Sequence, residues 1–137
     1  DNMTSLYKKF DNSDIIIVGS PLYFNSVSSI TKAMIDRCQL FWSSKYILKK
    51  PSIDRTKKRI GAFLCAAGAP HKKEEYIGAK VVMDLFFRAI NTKYLYNLYV
   101  DNTDKVFVGE RSDILDKAVK LGNILYRESK TGSDLEV

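Results

Sequence analysis

Gly19-Ser-Pro-Leu-Tyr-Phe-Asn-Ser26 is the stretch best equipped for chemistry. Pro21 presets one backbone torsion, Tyr23 and Phe24 follow as a pair of aromatics, and Asn25 and Ser26 precede a helical pattern. Backbone amides next to aromatic edges suit a flat heteroaromatic ring, because small-molecule sites combine apolar walls with a few fixed polar groups. The competing reading is an ordinary strand-to-helix corner whose aromatics cap the core, and composition alone favours it. His71, in Pro70-His-Lys-Lys73 just after Gly68, adds a titratable group that serves either as a substrate contact or as a solvated loop residue. Cys38 and Cys65 are too few and too far apart for a paired metal knuckle, so no metal site is expected. Both lie in apolar segments, where a free cysteine acts as a small buried hydrophobe.

These residues need a scaffold, and the apolar pattern supplies one. Asp14-Ile-Ile-Ile-Val-Gly-Ser-Pro21 is β-branched and unalternating, which predicts a strand buried on both faces of a parallel sheet. Val27, Ile30, Met34, Cys38 and Phe41 recur at helical spacing, widened by Ile35 and Trp42, with Ser26, Ser28 and Ser29 as candidate N-caps. Ile60-Gly-Ala-Phe-Leu-Cys-Ala-Ala-Gly68 is a second buried run. A helix over 74–90 follows, with Ile77, Val81, Leu85, Phe86 and Ala89 expected on its inner side. Leu95 to Val100 forms a third strand, and Ser112 caps a last helix carrying Leu115, Ala118, Val119, Gly122 and Leu125. A short amphipathic piece (Met3, Leu6, Tyr7, Phe10) reads as the end of a first helix.

Strand–helix units in series mean an α/β domain with a mostly parallel sheet, its ligands beyond the carboxyl ends of the strands. Three loops therefore matter: 20–26, 66–73 and 101–111. A parallel sheet of only three strands has unprotected edges, so the chain reads as the C-terminal part of something longer.

The 137 residues suit one domain, 1–137, and a 45% apolar content supports a packed core. No apolar run approaches the ~20 residues a membrane-spanning helix needs, and no leader pattern opens the chain, so a cytoplasmic protein with no membrane association is expected. The net charge of +6 is local: Lys45 to Arg59 holds seven basic residues against Asp54, and the rest is balanced. One basic loop is weaker evidence for nucleic acid than a basic face, so it reads as a solvated, solubilising loop. The 43–59 connection is nonetheless long, and loops beyond about 12–15 residues are often functional.

The Asp14–Ser26 segment, followed by Ile30-Thr-Lys-Ala-Met-Ile-Asp-Arg37, resembles the flavodoxin-fold family of NAD(P)H-dependent FMN reductases and iron–sulfur flavoproteins. Lys32, Asp36 and Arg37 fall where that family carries a Lys and an Asp-Arg pair. Asp1-Asn-Met3 resembles the family's helix start, and Ala118-Val-Lys-Leu-Gly122 its closing helix. The resemblance implies a flavodoxin-like three-layer α/β/α fold with a parallel sheet, lacking the first strand–helix unit and the second strand. It implies FMN held by Pro21, Leu22, Tyr23, Phe24 and Asn25 and by Ala66, Ala67 and Gly68, with Gly68 letting backbone approach the ring. NAD(P)H would be the co-substrate and a small molecule the electron acceptor, in a homo-oligomer; Lys72 and Lys73 read equally as contacts to a nicotinamide 2′-phosphate or as solvated loop residues. No residue is assigned a catalytic role, because the flavin carries the chemistry.

The family's Ser/Gly/Thr-rich phosphate loop has no counterpart in this sequence, and neither cysteine matches the iron–sulfur cluster pattern. The alternative expectation is therefore a non-catalytic flavodoxin-like interaction module that oligomerises and binds no flavin by itself. Asp36 and Arg37 are expected as a helix-surface ion pair, and Phe41 and Trp42 as a dimer contact, with Trp42 equally placed to shield the long basic loop.

Overall fold

The computed structural model describes residues 2–131. Asp1, the first residue of the helix-start resemblance, lies outside them. Helix α1 (Asn2–Asn12) leads into strand β1 (Ile15–Pro21), then come helices α2 (Ser29–Arg37) and α3 (Gln39–Tyr46). Strand β2 (Ile60–Ala66), helix α4 (Ile77–Ala89), strand β3 (Lys93–Val100) and helix α5 (Ser112–Lys130) complete the order. Single 3-10 turns at Lys73–Tyr76 and Val108–Glu110 introduce α4 and α5.

The strands form one parallel sheet in the order β1-β2-β3. Against one face pack α1 to α4, through Phe10, Phe41, Ala79, Met83, Phe86 and Phe87 meeting Ile16, Phe63 and Cys65. Against the other lies α5, whose Leu125 meets Ile60 and Ala62. Among the described residues no helix is long and apolar enough to cross a membrane.

The predicted helix from Val27 to Trp42 is two helices. Ser28 caps α2 by accepting from the Thr31 amide at 3.3 Å, and the chain breaks at Cys38, whose ψ of 2° is not helical. α3 then runs to Tyr46, shortening the long connection to 47–59.

Three burial expectations fail, each for a packing reason. β2 is the strand buried on both faces; β1 is an edge, with Ile17 half exposed, because the α5 layer leaves that side of it open. On α4, Phe86 and Ala89 of the expected stripe are buried, but Ile77, Val81 and Leu85 point outward and Ala79, Met83 and Phe87 are buried instead. Ring packing accounts for this orientation: Phe86 meets Phe10 edge-on at 5.7 Å and Phe87 meets Tyr94 at 4.9 Å. On α5 the expected Leu125 is buried, together with Ile114, whereas Leu115, Ala118, Val119 and Gly122 are exposed, the first two along a hollow between the helix and the sheet.

Candidate functional site at the carboxyl edge of the sheet

Strand register levels the site. Pro21 lies opposite Ala66, and Ala66 opposite Val100, so the three following loops leave the sheet from one line. The Leu22 amide donates to the Ala66 carbonyl at 2.7 Å, and the Ala67 amide donates to Val100 O at 2.7 Å. The two loops expected to be neighbours are bonded to each other at their roots.

Beyond Leu22 the chain makes a two-residue hairpin. The amides of Tyr23 and Ser26 each donate to the other's carbonyl, at 2.9 and 3.0 Å, and Phe24 and Asn25 sit at φ of 50° and 59°. Positive φ at both central residues is the type I′ geometry. Asn tolerates it; Phe does not, at a cost of order 1–2 kcal/mol. Nothing packs the ring in return: Phe24 is 106% exposed and Tyr23 61%, whereas Leu22 is buried and anchors the turn. Ser20, buried behind it, accepts from the Ser28 amide at 3.0 Å and so ties the strand end to the start of α2. The turn also rests on α4, where a Cβ at Gly78 would overlap the Asn25 carbonyl oxygen. Among the described residues the amides of Phe24, Asn25 and Gly68 bond to no other group and are free to donate.

The second and third loops are stitched together. The Thr103 amide and hydroxyl both donate to Ala67 O at 3.1 Å, the Asn102 amide donates to Ala69 O at 3.1 Å, and the Asp104 amide to Gly68 O at 3.1 Å. Gly68 has its own steric reason: a Cβ there would overlap the Asp104 carboxylate. A branched residue at position 68 would therefore have to displace the Asp104 carboxylate. His71 is partly buried and joins the stitching, its amide donating to Asp101 Oδ2 at 3.2 Å and its Nδ1 lying 2.9 Å from Ala69 O. Beneath it Tyr76 stacks on Tyr99 at 4.3 Å and donates to Val100 O at 3.3 Å. Burial, reinforced by Cys65, Asp101 and Glu75, pushes the Tyr76 phenol up to about 12, so it stays neutral.

Of the expected ring contacts, Pro21, Tyr23, Phe24, Asn25 and Ala66 are exposed along this edge, Gly68 is half-buried, and Leu22 and Ala67 are buried with only backbone to offer. An apolar hollow of about 430 Å³ opens beside the strand ends, between the sheet and α5, lined by Gly19, Pro21, Leu64, Leu98, Ile114 and Leu115. Sequence reasoning missed Gly78 and Asn102. Asn102 sits at φ 55° with its Oδ1 buried and without a partner, and the only signal was an Asp-Asn-Thr turn triplet after β3. Lys32 pairs with Asp36 at 2.6 Å along the surface of α2. The thiols are inert: burial pushes Cys38 up to about 12 and Cys65 up to about 11. No cluster of metal-ligating side chains occurs among the described residues.

Residues 1–93 match the sequence model of the family described as NADPH-dependent FMN reductase. No curated protein matches the chain. Among solved structures it is similar to a flavone reductase (14% identity, TM-score 0.70), covering 99% of this chain and 49% of that one. An NADPH-quinone reductase from P. pentosaceus shares 15% identity at TM-score 0.58, over 85% of this chain and 71% of the other. An azoreductase from Bacillus anthracis shares 16% identity at TM-score 0.55, over 94% and 60%. The fold is thus flavodoxin-like, and the chain spans about half the length of the flavone reductase.

Proposed function

The chain belongs to the NADPH-dependent FMN reductase family, and from that premise we propose that it supplies the ring-binding half of an FMN site in a flavin-dependent oxidoreductase. The observation that carries this is the turn at Phe24 and Asn25: a strained backbone and an unpacked aromatic ring held at the edge where ligands meet a parallel sheet. A corner that only capped the core would bury that ring.

The residues present fit the ring end of the flavin. Tyr23 and Phe24 offer apolar faces, the amides of Phe24, Asn25 and Gly68 offer free donors, and Asn102 Oδ1 offers an unpartnered acceptor. Bound FMN would accept hydride from NAD(P)H and pass electrons to a small-molecule acceptor. The chain's own part is to hold and orient: Leu22 and Ala67 fix the loop roots, Gly78 seats the turn, and the free amides favour negative charge at the ring's electron-rich edge. The phosphate is held in this reading by groups other than these loops. Two free, buried thiols accord with a cytoplasmic setting.

Quenching of FMN fluorescence on titration with the chain tests the reading. Binding that weakens at least about tenfold in Phe24→Ser supports it; absence of binding, or binding that ignores this substitution, sinks it. One observation favours the second reading, an oligomerising interaction module. β1 pairs on one side only, with Ile17 half exposed at that open edge, and Ile77, Val81 and Leu85 form a further exposed apolar stripe. Sedimentation velocity separates the two, since a flavin-indifferent oligomer satisfies only the second.

A further inference from the structure

The opposite, amino-terminal edge of the sheet holds a cavity of about 670 Å³, within the range of small-molecule sites. Its walls come from distant segments: the end of α3, the 55–60 loop, the end of α4, the start of β3 and the end of α5. Several of its cations are committed elsewhere. Arg59, fully buried, donates to Phe10 O at 3.0 Å, Asp54 O at 2.6 Å, Asp11 O at 2.8 Å and Asp11 Oδ1 at 2.6 Å. Lys57 donates to Asn12 O at 2.6 Å and sits 3.1 Å from Asp14. Arg88 pairs with Asp84 at 2.7 Å, and Lys45 lies 4.8 Å over the Tyr46 ring. Lys45 and Arg88 also stand in the last turns of their helices, where the carbonyl ends favour a cation.

Three cations remain: Arg55, Lys58 and Lys93. None lies in a helix, all are exposed, and none of their side chains has a partner among the described residues. Glu128 is the one acidic side chain in the lining. A merely solvated loop explains Arg55 and Lys58 but not Lys93 in the same lining, which arrives at the start of β3. Arg59 and Lys57 meanwhile pin the loop, so the free cations are presented at little cost in ordering.

We propose that this cavity binds a small polyanion carrying two or more phosphate groups, of nucleoside-diphosphate size, independently of the flavin loops at the other edge. The uncompensated charge focuses an anion into the concavity, and charge-assisted hydrogen bonds from Arg55, Lys58 and Lys93 hold it. Its concavity, walled by separate segments of the chain, favours a small ligand over the extended basic stripe that a nucleic-acid backbone requires.

Calorimetric titration of the whole chain with inorganic pyrophosphate and with ATP tests this. One saturable site is expected, weakening between about 50 and 200 mM salt as phosphate contacts do. Combined Arg55→Ala, Lys58→Ala and Lys93→Ala should weaken binding about tenfold or more with an unchanged melting temperature, since all three side chains are exposed. Lys120→Ala on α5 and Phe24→Ser at the flavin loops should leave it unchanged. Failure of both pyrophosphate and ATP to bind overturns the proposal, as does wild-type affinity in the triple variant. A short single-stranded DNA that binds more tightly than ATP overturns it too, because the surface would then be a nucleic-acid one.

Discussion

The two ends of the sheet hold their loops by opposite means. At the carboxyl edge, the 22–26 turn is fastened by backbone pairing and by contact with Gly78, and it spends conformational strain to hold an apolar ring in water. At the amino edge, the 47–59 loop is fastened by a buried guanidinium that donates to main-chain carbonyls of α1 and of the loop and to the Asp11 carboxylate, leaving the neighbouring charged side chains outside. The first arrangement lowers stability locally to create a surface; the second raises it. An exposed loop therefore says little about function until the groups that fix it have been separated from those it displays.

Removing the amino-edge pin should have the largest effect. Arg59→Met keeps the volume and removes every bond, leaving Asp11 and buried carbonyls short of donors; a loss of about 3 kcal/mol is expected. Urea unfolding measures it, and a loss below about 1 kcal/mol would mean that Lys57 and Asp14 hold the loop without help.

At the carboxyl edge the effects should be smaller, and one should reverse sign. Gly78→Ala forces a methyl into the Asn25 carbonyl oxygen. The overpacking cost of 1–3 kcal/mol is offset by about 1 kcal/mol of helix propensity, so a net loss near 1 kcal/mol is expected. Hydrogen exchange should localise the damage, with the Tyr23 and Ser26 amides losing protection first. Phe24→Asn should instead stabilise the chain by up to about 1 kcal/mol, because Asn accepts the left-handed conformation. The same substitution should abolish FMN quenching. A Phe24→Asn chain that is both less stable and still flavin-binding would undo the contrast between the two edges.

Much of the fold was legible because strand runs and helical periods are local signals. Ile15 to Pro21, Ile60 to Ala66 and the loop roots at Pro21 and Ala66 follow from continuous apolar runs closed by turn residues. Burial was less legible where two apolar stripes compete on one helix: on α4 the winner depends on ring packing against Phe10 and Tyr94, neighbours that periodicity cannot supply. At the candidate site, residues near the glycine- and proline-marked turns could be named, but not Gly78, whose importance lies in a contact with Asn25 across 53 positions of sequence. The basic loop reads as solvent-facing for the same reason, since Phe10 and Asp11, the long-range partners of Arg59, belong to α1.

The smallest predicted effect tests whether geometry alone can rank such contacts. Lys32 lies 2.6 Å from Asp36, the same separation as Arg59 from Asp11. The side chains of the first pair are 49% and 57% exposed, whereas that of Arg59 is fully buried. In water-like surroundings the Coulomb gain is small, and fixing two long side chains costs entropy, so an i,i+4 helix pair contributes about 0.3–0.5 kcal/mol. Buried, the same contact adds the penalty of stranding its carbonyl partners when broken. Lys32→Ala should therefore change stability by less than about 0.5 kcal/mol, and the change should vanish in high salt, whereas the Arg59→Met loss should persist there. Parallel urea titrations of the two variants at low and high salt make the comparison. A salt-resistant loss at Lys32 as large as that at Arg59 would show that α2 is braced through this pair, and that exposure does not rank these contacts.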